Sequence, residues 1–561
     1  MSYEDILKAV GGFGRYQKLL TLLLVVSGIP NGYLVLTIVF VGMTPPHRCC
    51  VPGIEECLRN SSGPTPNYDL PKATWEAHIP HHDIDGVKYS QCGMISTDSN
   101  TTKQCTNGWV FDIDSDRTTF VTEWELVCDR SLYRPLLTAL FMAGVMCGST
   151  LSGFLSDRFG RRPVFLAGTF GMFVCFGLCG ISTSPIMYAI TLFLSGAMNL
   201  VNYATAYVLA SEVISTSKRV ITGTLTIAAF AIGYMLIPLL AYFLPHWRTL
   251  YLITSLTGFL FIPYIWLIDE SPSWLLSKGK FEEFWKLVRK IAKSNGVPEE
   301  NVDELRACWK KEENKETAES WSDLFRHFKH RRVFATLLNK CFTWFSCSVA
   351  YYVLSLNTSN FGGSPYINCF LAAAVEIPAY AIVILALKKI GRKSFVFGSL
   401  VCTGVFCGAV PYIDIVSTKG AIASAMIGKL CVAACFSVIY LYCAELFPTP
   451  IRTTAVGLCS MSARVGAIVA PYLLYAGETY SSLPYLIIFG LSFLSAFFIL
   501  WLPETCLATL PESKNDMLRL KLNLKEIFKI HKIIGKGSEN NNDANEDQKS
   551  VTEPLSVGVV A

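Results

Sequence analysis

The sequence predicts an all-α membrane protein, a 6+6 twelve-helix bundle with a large cysteine-rich extracellular loop and a cytoplasmic helical loop between its halves. Three observations carry that reading. Of 561 residues, 52% are hydrophobic and only 16% charged, too apolar a balance for an array of soluble domains. Apolar runs of about 20 residues, each long enough to cross a bilayer, recur along the chain. Polar motifs recur in both halves at an offset of about 230 positions, the mark of an internal duplication.

Positions 1–18 form a cytoplasmic N-terminus without a cleavable signal pattern, because the first apolar run exceeds a signal-peptide core and lacks a small-residue cleavage site. Runs at roughly 19–41, 133–153, 163–182, 185–208, 220–244 and 248–268 give six spans, an N-terminal half of 19–268. The charged stretch 269–332 is the cytoplasmic central loop. Runs near 333–355, 366–387, 394–416, 420–442, 454–475 and 483–502 make a C-terminal half of 333–502. Residues 503–561 are a polar, partly disordered cytoplasmic tail with one amphipathic stretch near 517–534.

Basic residues set the orientation. Arg158, Arg161, Arg162, Lys218, Arg219, Lys388, Lys389, Arg392, Lys393 and Arg452 fall in alternate short loops, whereas the opposite loops hold little more than Arg248 and Lys419. The basic side is therefore cytoplasmic, with both termini on it. This asymmetry also accounts for the net charge of +5 without any nucleic-acid partner. The loop 42–132 then faces outward. It carries Cys49, Cys50, Cys57, Cys92, Cys105 and Cys128 and the sequons at Asn60 and Asn100, as expected in an oxidising, glycosylating compartment. Sequence does not separate the many pairings that six cysteines allow, and the adjacent Cys49 and Cys50 leave room for a free thiol. A third sequon, at Asn357, sits so close to a span that it is expected to stay unmodified.

The duplication is read from three echoes. Asp157-Arg158-Phe159-Gly160-Arg161-Arg162 is matched by Lys388-Lys389-Ile390-Gly391-Arg392-Lys393. Glu212 with Arg219 is matched by Glu445 with Arg452, and Glu270 by Glu504. Two six-helix halves with a binding site where they meet is transporter anatomy. These acids and arginines read as gates, charge pairs at helix ends that break as the halves rock; the plainer reading of each loop cation is topology alone.

Gly153 to Arg162 resembles the signature loop of the major facilitator superfamily, and Asp269 to Leu275 is similar to its proline-glutamate-serine-proline-arginine motif. The resemblance spans nearly the whole chain. The cysteine-rich loop ending in Thr122 to Cys128 narrows it to the organic cation, organic anion and carnitine carriers. Ile29 to Tyr33, Asn202-Tyr203, Gly233 to Phe243 and Ala463 to Gly466 resemble the organic cation/carnitine subfamily. The resemblance implies a major-facilitator-type bundle, a monomer in the plasma membrane. Ala210 to Lys218 lacks the glycine pattern some members show there, so no nucleotide site is assigned.

A charge inside a span costs about 2.5–3.5 kcal/mol on insertion scales, which makes Arg464, Lys429 and Glu376 functional candidates. Arg464 lies among small and apolar residues, and a guanidinium grips a carboxylate through two parallel hydrogen bonds. The alternative is permanent pairing with an internal acid such as Glu376. By resemblance, plain cation carriers usually have aspartate at this place, so arginine points to a substrate with a negative group. Tyr203, Tyr207, Tyr234, Trp344, Tyr351, Phe436 and Tyr440 supply rings; the pairs 203/207, 436/440 and 344/351 each share a helix face. Ring faces attract quaternary ammonium by about 0.5–2 kcal/mol per contact, although rings also pack and populate membrane interfaces. Asn31, Asn202 and Glu445 resemble subfamily positions linked to carnitine or sodium; polar groups on buried faces serve equally as interhelical glue.

The expected function is a plasma-membrane secondary transporter of small quaternary-ammonium zwitterions of carnitine, acylcarnitine, betaine or ergothioneine type, working by alternating access. A neutral zwitterion gains nothing from the membrane potential alone, so a co-transported sodium ion is expected and no other cofactor. The alternatives are a polyspecific organic anion or cation carrier without sodium coupling, and a non-transporting receptor or adhesion protein built on the long loop. No enzyme chemistry is expected: no nucleophile–base pair or phosphate loop is present, and His78, His81 and His82 read as a solvated loop, not a metal site.

Overall fold

In lipid an apolar segment must satisfy its backbone internally, and helices do so within one segment. The computed structural model describes residues 3–51, 78–82, 88–95, 102–105, 107–113, 117–215, 219–309, 328, 330–387, 389–506, 511 and 517. Among these, eleven helices are long and apolar enough to cross a membrane: Arg15–Val41, Cys128–Phe159, Arg161–Gly180, Pro185–Val213, Thr222–Phe243, Trp247–Leu267, Arg331–Asn360, Pro365–Ala386, Arg392–Asp414, Thr418–Leu446 and Pro450–Thr479. The shorter Leu483–Ile499 completes the series. These are spans one to twelve. Their outer faces expose Ile186, Leu260, Leu385 and Phe497, as surfaces that meet lipid do.

Span six passes through a 3-10 stretch, Thr257–Phe261, between Trp247–Leu256 and Tyr264–Leu267, and spans one and eight are each broken next to a proline. Span one divides into Arg15–Val26 and Gly28–Val41; Pro30 lacks an N–H and crowds the carbonyl four residues back, at Val26. Ser27 Oγ then donates to the Leu24 carbonyl at 2.7 Å, and Asn31 Nδ2 to the Ser27 carbonyl at 2.8 Å. Span eight divides into Pro365–Ala374 and Glu376–Ala386, again four residues before a proline, Pro378. The breaks leave Asn31 and Glu376 beside loosened backbone.

Spans two, three and four pack together in the first half, and nine, ten and twelve in the second, where seven lies along eleven. The halves meet along two seams, span two against eleven and span five against eight. The duplication interchanges these seams. Spans one and five approach more closely than any side chain allows: a Cβ on Gly32 would lie 2.1 Å from the Phe230 carbonyl oxygen, and one on Gly233 1.9 Å from that of Ile29.

Outside the bundle, short helices at Pro272–Ser277, Phe281–Asn295 and Glu299–Cys308 form the described part of the central loop. Trp274, Phe284, Trp285 and Ile291 bury the apolar side of an N-terminal helix, Tyr3–Ala9, through Ile6 and Val10. Asn295 fastens this seat, donating to the Val10 carbonyl at 2.7 Å and accepting from the Tyr16 N–H at 3.0 Å.

The long loop adds three two-stranded antiparallel ribbons, His47–Cys49 with Trp109–Phe111, His81–His82 with Lys88–Tyr89 and Gly93–Ile95 with Thr102–Gln104, which the helical reading did not include. Disulfides join Cys49 to Cys105 and Cys92 to Cys128, and Cys50 is also disulfide-bonded. Cys57, Asn60 and Asn100 lie outside the described residues. Asn357 is buried, its amide donating to Tyr485 Oη at 2.9 Å.

Gly233→Val, which drives two methyl groups into the span-one backbone, is expected to cost more than the about 1–3 kcal/mol of ordinary overpacking. Size-exclusion profiles and melting temperature of the detergent-purified protein check it, and Gly457→Val, where a Cβ meets nothing within 4 Å, serves as the control.

Candidate functional site

Span eleven carries Arg464 between the two halves, 5% exposed. Its Nε and Nη2 atoms find no hydrogen-bond partner among the described residues. Tyr352 of span seven lies within hydrogen-bonding reach, and Tyr440 of span ten and Tyr203 of span four lie within range of its charge. The buried Tyr203 hydroxyl also lacks a partner among the described residues. Such groups cost about 1–3 kcal/mol each when left unsatisfied, and the open atoms of this cluster are able to bond a polar ligand or water.

The rings gather on the same side. Trp344 meets Tyr440 edge-on with centroids 4.1 Å apart, and Phe436 lies 6.2 Å from Trp344, 5.9 Å from Tyr440 and 6.1 Å from Tyr351. The spacings of four on span ten and seven on span seven place these rings on facing sides. Phe436 and Tyr351 are half-buried. Tyr203 packs on Phe230 at 6.4 Å, and Tyr207, one turn further, is half-buried and within electrostatic range of Tyr203.

Glu376 is not the partner of Arg464. Its carboxylate pairs with Lys429 of span ten at 3.2 Å, both fully buried, and accepts hydrogen bonds from Tyr351 at 2.7 Å and Tyr380 at 3.1 Å. The Lys429 ammonium also binds Ser355 Oγ and lies over two rings, 3.2 Å from the centroid of Tyr351 and 5.7 Å from that of Tyr234. The two charges cancel; the guanidinium stays uncompensated. Asn31 and Asn202 face each other, Asn31 Nδ2 donating to Asn202 Oδ1 at 2.8 Å, while Asn202 donates to Thr169 Oγ1 at 2.6 Å. They tie spans one, four and three, while Asn31 Oδ1 remains buried without a partner among the described residues.

At the basic end the repeated motifs close upon themselves. Glu270 Oε1 accepts from the N–H groups of Arg161 at 2.8 Å and Arg162 at 3.1 Å, capping span three. Glu504 does the same for span nine, accepting from Arg392 at 2.9 Å and Lys393 at 3.1 Å. An acid at a helix start meets unpaired donors and the positive end of the dipole. Each cap demands a glycine, since a Cβ on Gly160 or Gly391 would stand 2.4 or 2.3 Å from the carboxylate. Arg161 bridges Glu212 at 3.0 Å and Asp157 at 2.9 Å, and Arg392 approaches Glu445 at 3.3 Å. Thr505 donates to Glu445 at 2.5 Å. Arg158 is exposed over the Phe159 ring, Arg452 donates to the carbonyls of Phe447 and Pro511, and the Arg219 side chain lies outside the described residues.

Every one of these pairs lies within a half. Among the described residues the ion pair that crosses the seam is Arg134 with Glu478, 2.5 Å apart at the disulfide-bearing end, supported by Ser131 with Tyr475 at 3.1 Å and Arg117 with Tyr366 at 2.7 Å. The structure is fastened across the halves at that end. Sequence reading missed this latch, because single charges at helix ends carry no spacing signal. It also missed Tyr352, Tyr380 and Lys340, although Lys340, a cation within span seven, met the rule used to select Arg464.

Residues 91–517 match the family model of the sugar (and other) transporters. The chain is 35% identical to mouse solute carrier family 22 member 4, covering 92% of this chain and 95% of that protein, and 36% identical to human organic cation/carnitine transporter 2, covering 92% and 94%. It is 36% identical to the Drosophila melanogaster organic cation transporter protein, again over 92% and 94%. Among solved structures, the inward-open E. coli xylose transporter XylE is 14% identical with a TM-score of 0.57, covering 88% of this chain and 98% of that one; this likeness establishes the major-facilitator fold.

Two expectations follow for the charges. Lys429→Met strands Glu376 and is expected to destabilise the protein by about 3–5 kcal/mol, whereas Lys429→Met with Glu376→Gln recovers most of the loss; thermal unfolding of the four forms checks the coupling. Arg134→Glu is expected to weaken closure of the disulfide-bearing end, and adding Glu478→Arg to restore it, read as the labelling rate of a cysteine placed in the seam.

Proposed function

We propose that this chain, which belongs to the organic cation/carnitine transporters of solute carrier family 22, carries small quaternary-ammonium zwitterions of carnitine, acylcarnitine, betaine or ergothioneine type. The observation that carries the reading is the uncompensated Arg464 guanidinium beside the ring cluster. With Lys429 and Glu376 cancelling, a substrate carboxylate supplies the missing negative charge through paired N–H···O bonds. Its trimethylammonium group then meets the faces of Trp344, Phe436, Tyr440 and Tyr203. A zwitterion answers both features at once.

The carrier works in the plasma membrane as a monomer, with the disulfide-bearing end outside and both termini in the cytoplasm. Rocking about the two seams breaks Arg134–Glu478 and exposes the site to the outer face in turn. Uphill movement of a neutral zwitterion draws on a co-transported sodium ion, worth about 2.3 kcal/mol per charge per 100 mV. A second reading, a carrier of plain organic anions without sodium coupling, draws support from Lys340, a further buried cation with no hydrogen-bond partner.

Labelled carnitine uptake in transfected cells, with sodium and with an impermeant substitute, tests the assignment. Sodium-dependent uptake is expected; robust transport of an aromatic carboxylate with no carnitine uptake selects the second reading. Arg464→Ala is expected to lower zwitterion uptake roughly ten- to a hundredfold, the equivalent of about 1.5–3 kcal/mol for charged hydrogen bonds, at unchanged surface expression. Arg464→Lys does not restore it, because an ammonium lacks the planar fork.

A further inference from the structure

Spans seven, ten and eleven bring five free thiols together beside the substrate site. Cys459 Sγ lies 3.9 Å from Cys341 Sγ and 3.8 Å from Cys443 Sγ, and Cys347 Sγ lies 3.6 Å from Cys435 Sγ. Among them sits the Lys340 ammonium, fully buried and without a hydrogen-bond partner among the described residues. It rests 3.4 Å from the centroid of the Tyr442 ring and within electrostatic range of Cys443, Cys459, Cys435 and Cys347. A nearby cation favours the thiolate of those four cysteines, Cys459 among them, the form that displaces a sulfenic hydroxyl. Cys443 and Cys459 are buried, whereas Cys341 is half-buried, so a small oxidant reaches Cys341 first.

We propose that Cys341 and Cys459 form a reversible disulfide when the protein meets hydrogen peroxide. The Cys341 thiolate attacks the peroxide O–O bond, giving a sulfenic acid and, after protonation of the leaving oxygen, water. The Cys459 sulfur displaces the sulfenic hydroxyl, forming the S–S bond and a second water. Two thiols and one hydrogen peroxide thus give one disulfide and two waters, the two electrons passing from sulfur to oxygen. The sulfurs need to approach by about 2 Å to reach the roughly 2.05 Å bond length. The two helices are already joined at this level, Ser462 Oγ donating to the Cys341 carbonyl at 2.7 Å and Ser348 Oγ to the Ala463 carbonyl at 2.6 Å. The bond pins span seven to span eleven within about one and a half turns of Trp344 and Arg464, so it fixes the distance between the ring cluster and the guanidinium.

The test treats the full-length protein, in cells, with hydrogen peroxide, digests it without reduction and identifies the linked peptides by mass spectrometry. A peptide joining Cys341 to Cys459 is expected, with uptake falling fivefold or more and returning after dithiothreitol. Cys341→Ser and Cys459→Ser, each made separately, are expected to abolish the linked peptide and to keep uptake through the peroxide treatment. Absence of the linked peptide, a link from Cys459 to Cys443 in its place, or serine variants that lose uptake to peroxide as fully as the unmodified protein does overturns the proposal. The peptide readout holds whatever the cargo, so its failure is distinguishable from failure of the zwitterion assignment.

Discussion

A charge held inside an apolar bundle must be answered, and the way each is answered here sorts the interior into scaffold and site. Glu376 is met by Lys429 and two tyrosine hydroxyls, and Lys429 in turn by Ser355 and the Tyr351 ring. That group is complete. Lys340 has a ring face but no acid. Arg464 keeps two donors open toward residues from both halves. Under the function proposed above, the cargo's carboxylate fills those donors part of the time.

The duplicated caps at Glu270 and Glu504 explain why the loop motif reads as glycine followed by two basic residues. The carboxylate occupies the place of the glycine's missing side chain, the next two N–H groups bind it, and the first basic side chain turns to an acid on a neighbouring span. These bonds rivet each half to itself. Between the halves, along spans two and eleven and spans five and eight, packing dominates, and the described ion pair that crosses is Arg134 with Glu478.

Much of this was legible in the sequence, because hydropathy over 20 residues and a motif that recurs near one offset are one-dimensional signals. The spans, the duplication and the identities of Arg464, Glu376 and Lys429 were all readable from it. Which charge pairs with which was not: Glu376 and Lys429 sit on different spans, and only folding shows that they meet. The broken helices were half-written. Pro30 and Pro378 break their spans, yet Pro238, Pro411 and Pro471 sit inside continuous helices, so proline alone does not decide. The β-ribbons of the long loop are two or three residues per strand, too short for an alternating pattern to register. The motif charges were read as pairs that break; their pairing inside each half follows from the short reach between adjacent spans.

The seat of the Tyr3–Ala9 helix has a consequence for how the protein is made. Asn295 and the helix it ends contact residues 279 and 285 positions earlier. At about 5–20 residues per second, the ribosome delivers that partner roughly a quarter of a minute to a minute after the first helix emerges. Ile6 and Val10 spend that interval with their apolar surface unclaimed, an early greasy segment that nascent-chain chaperones are suited to shield until the second piece arrives.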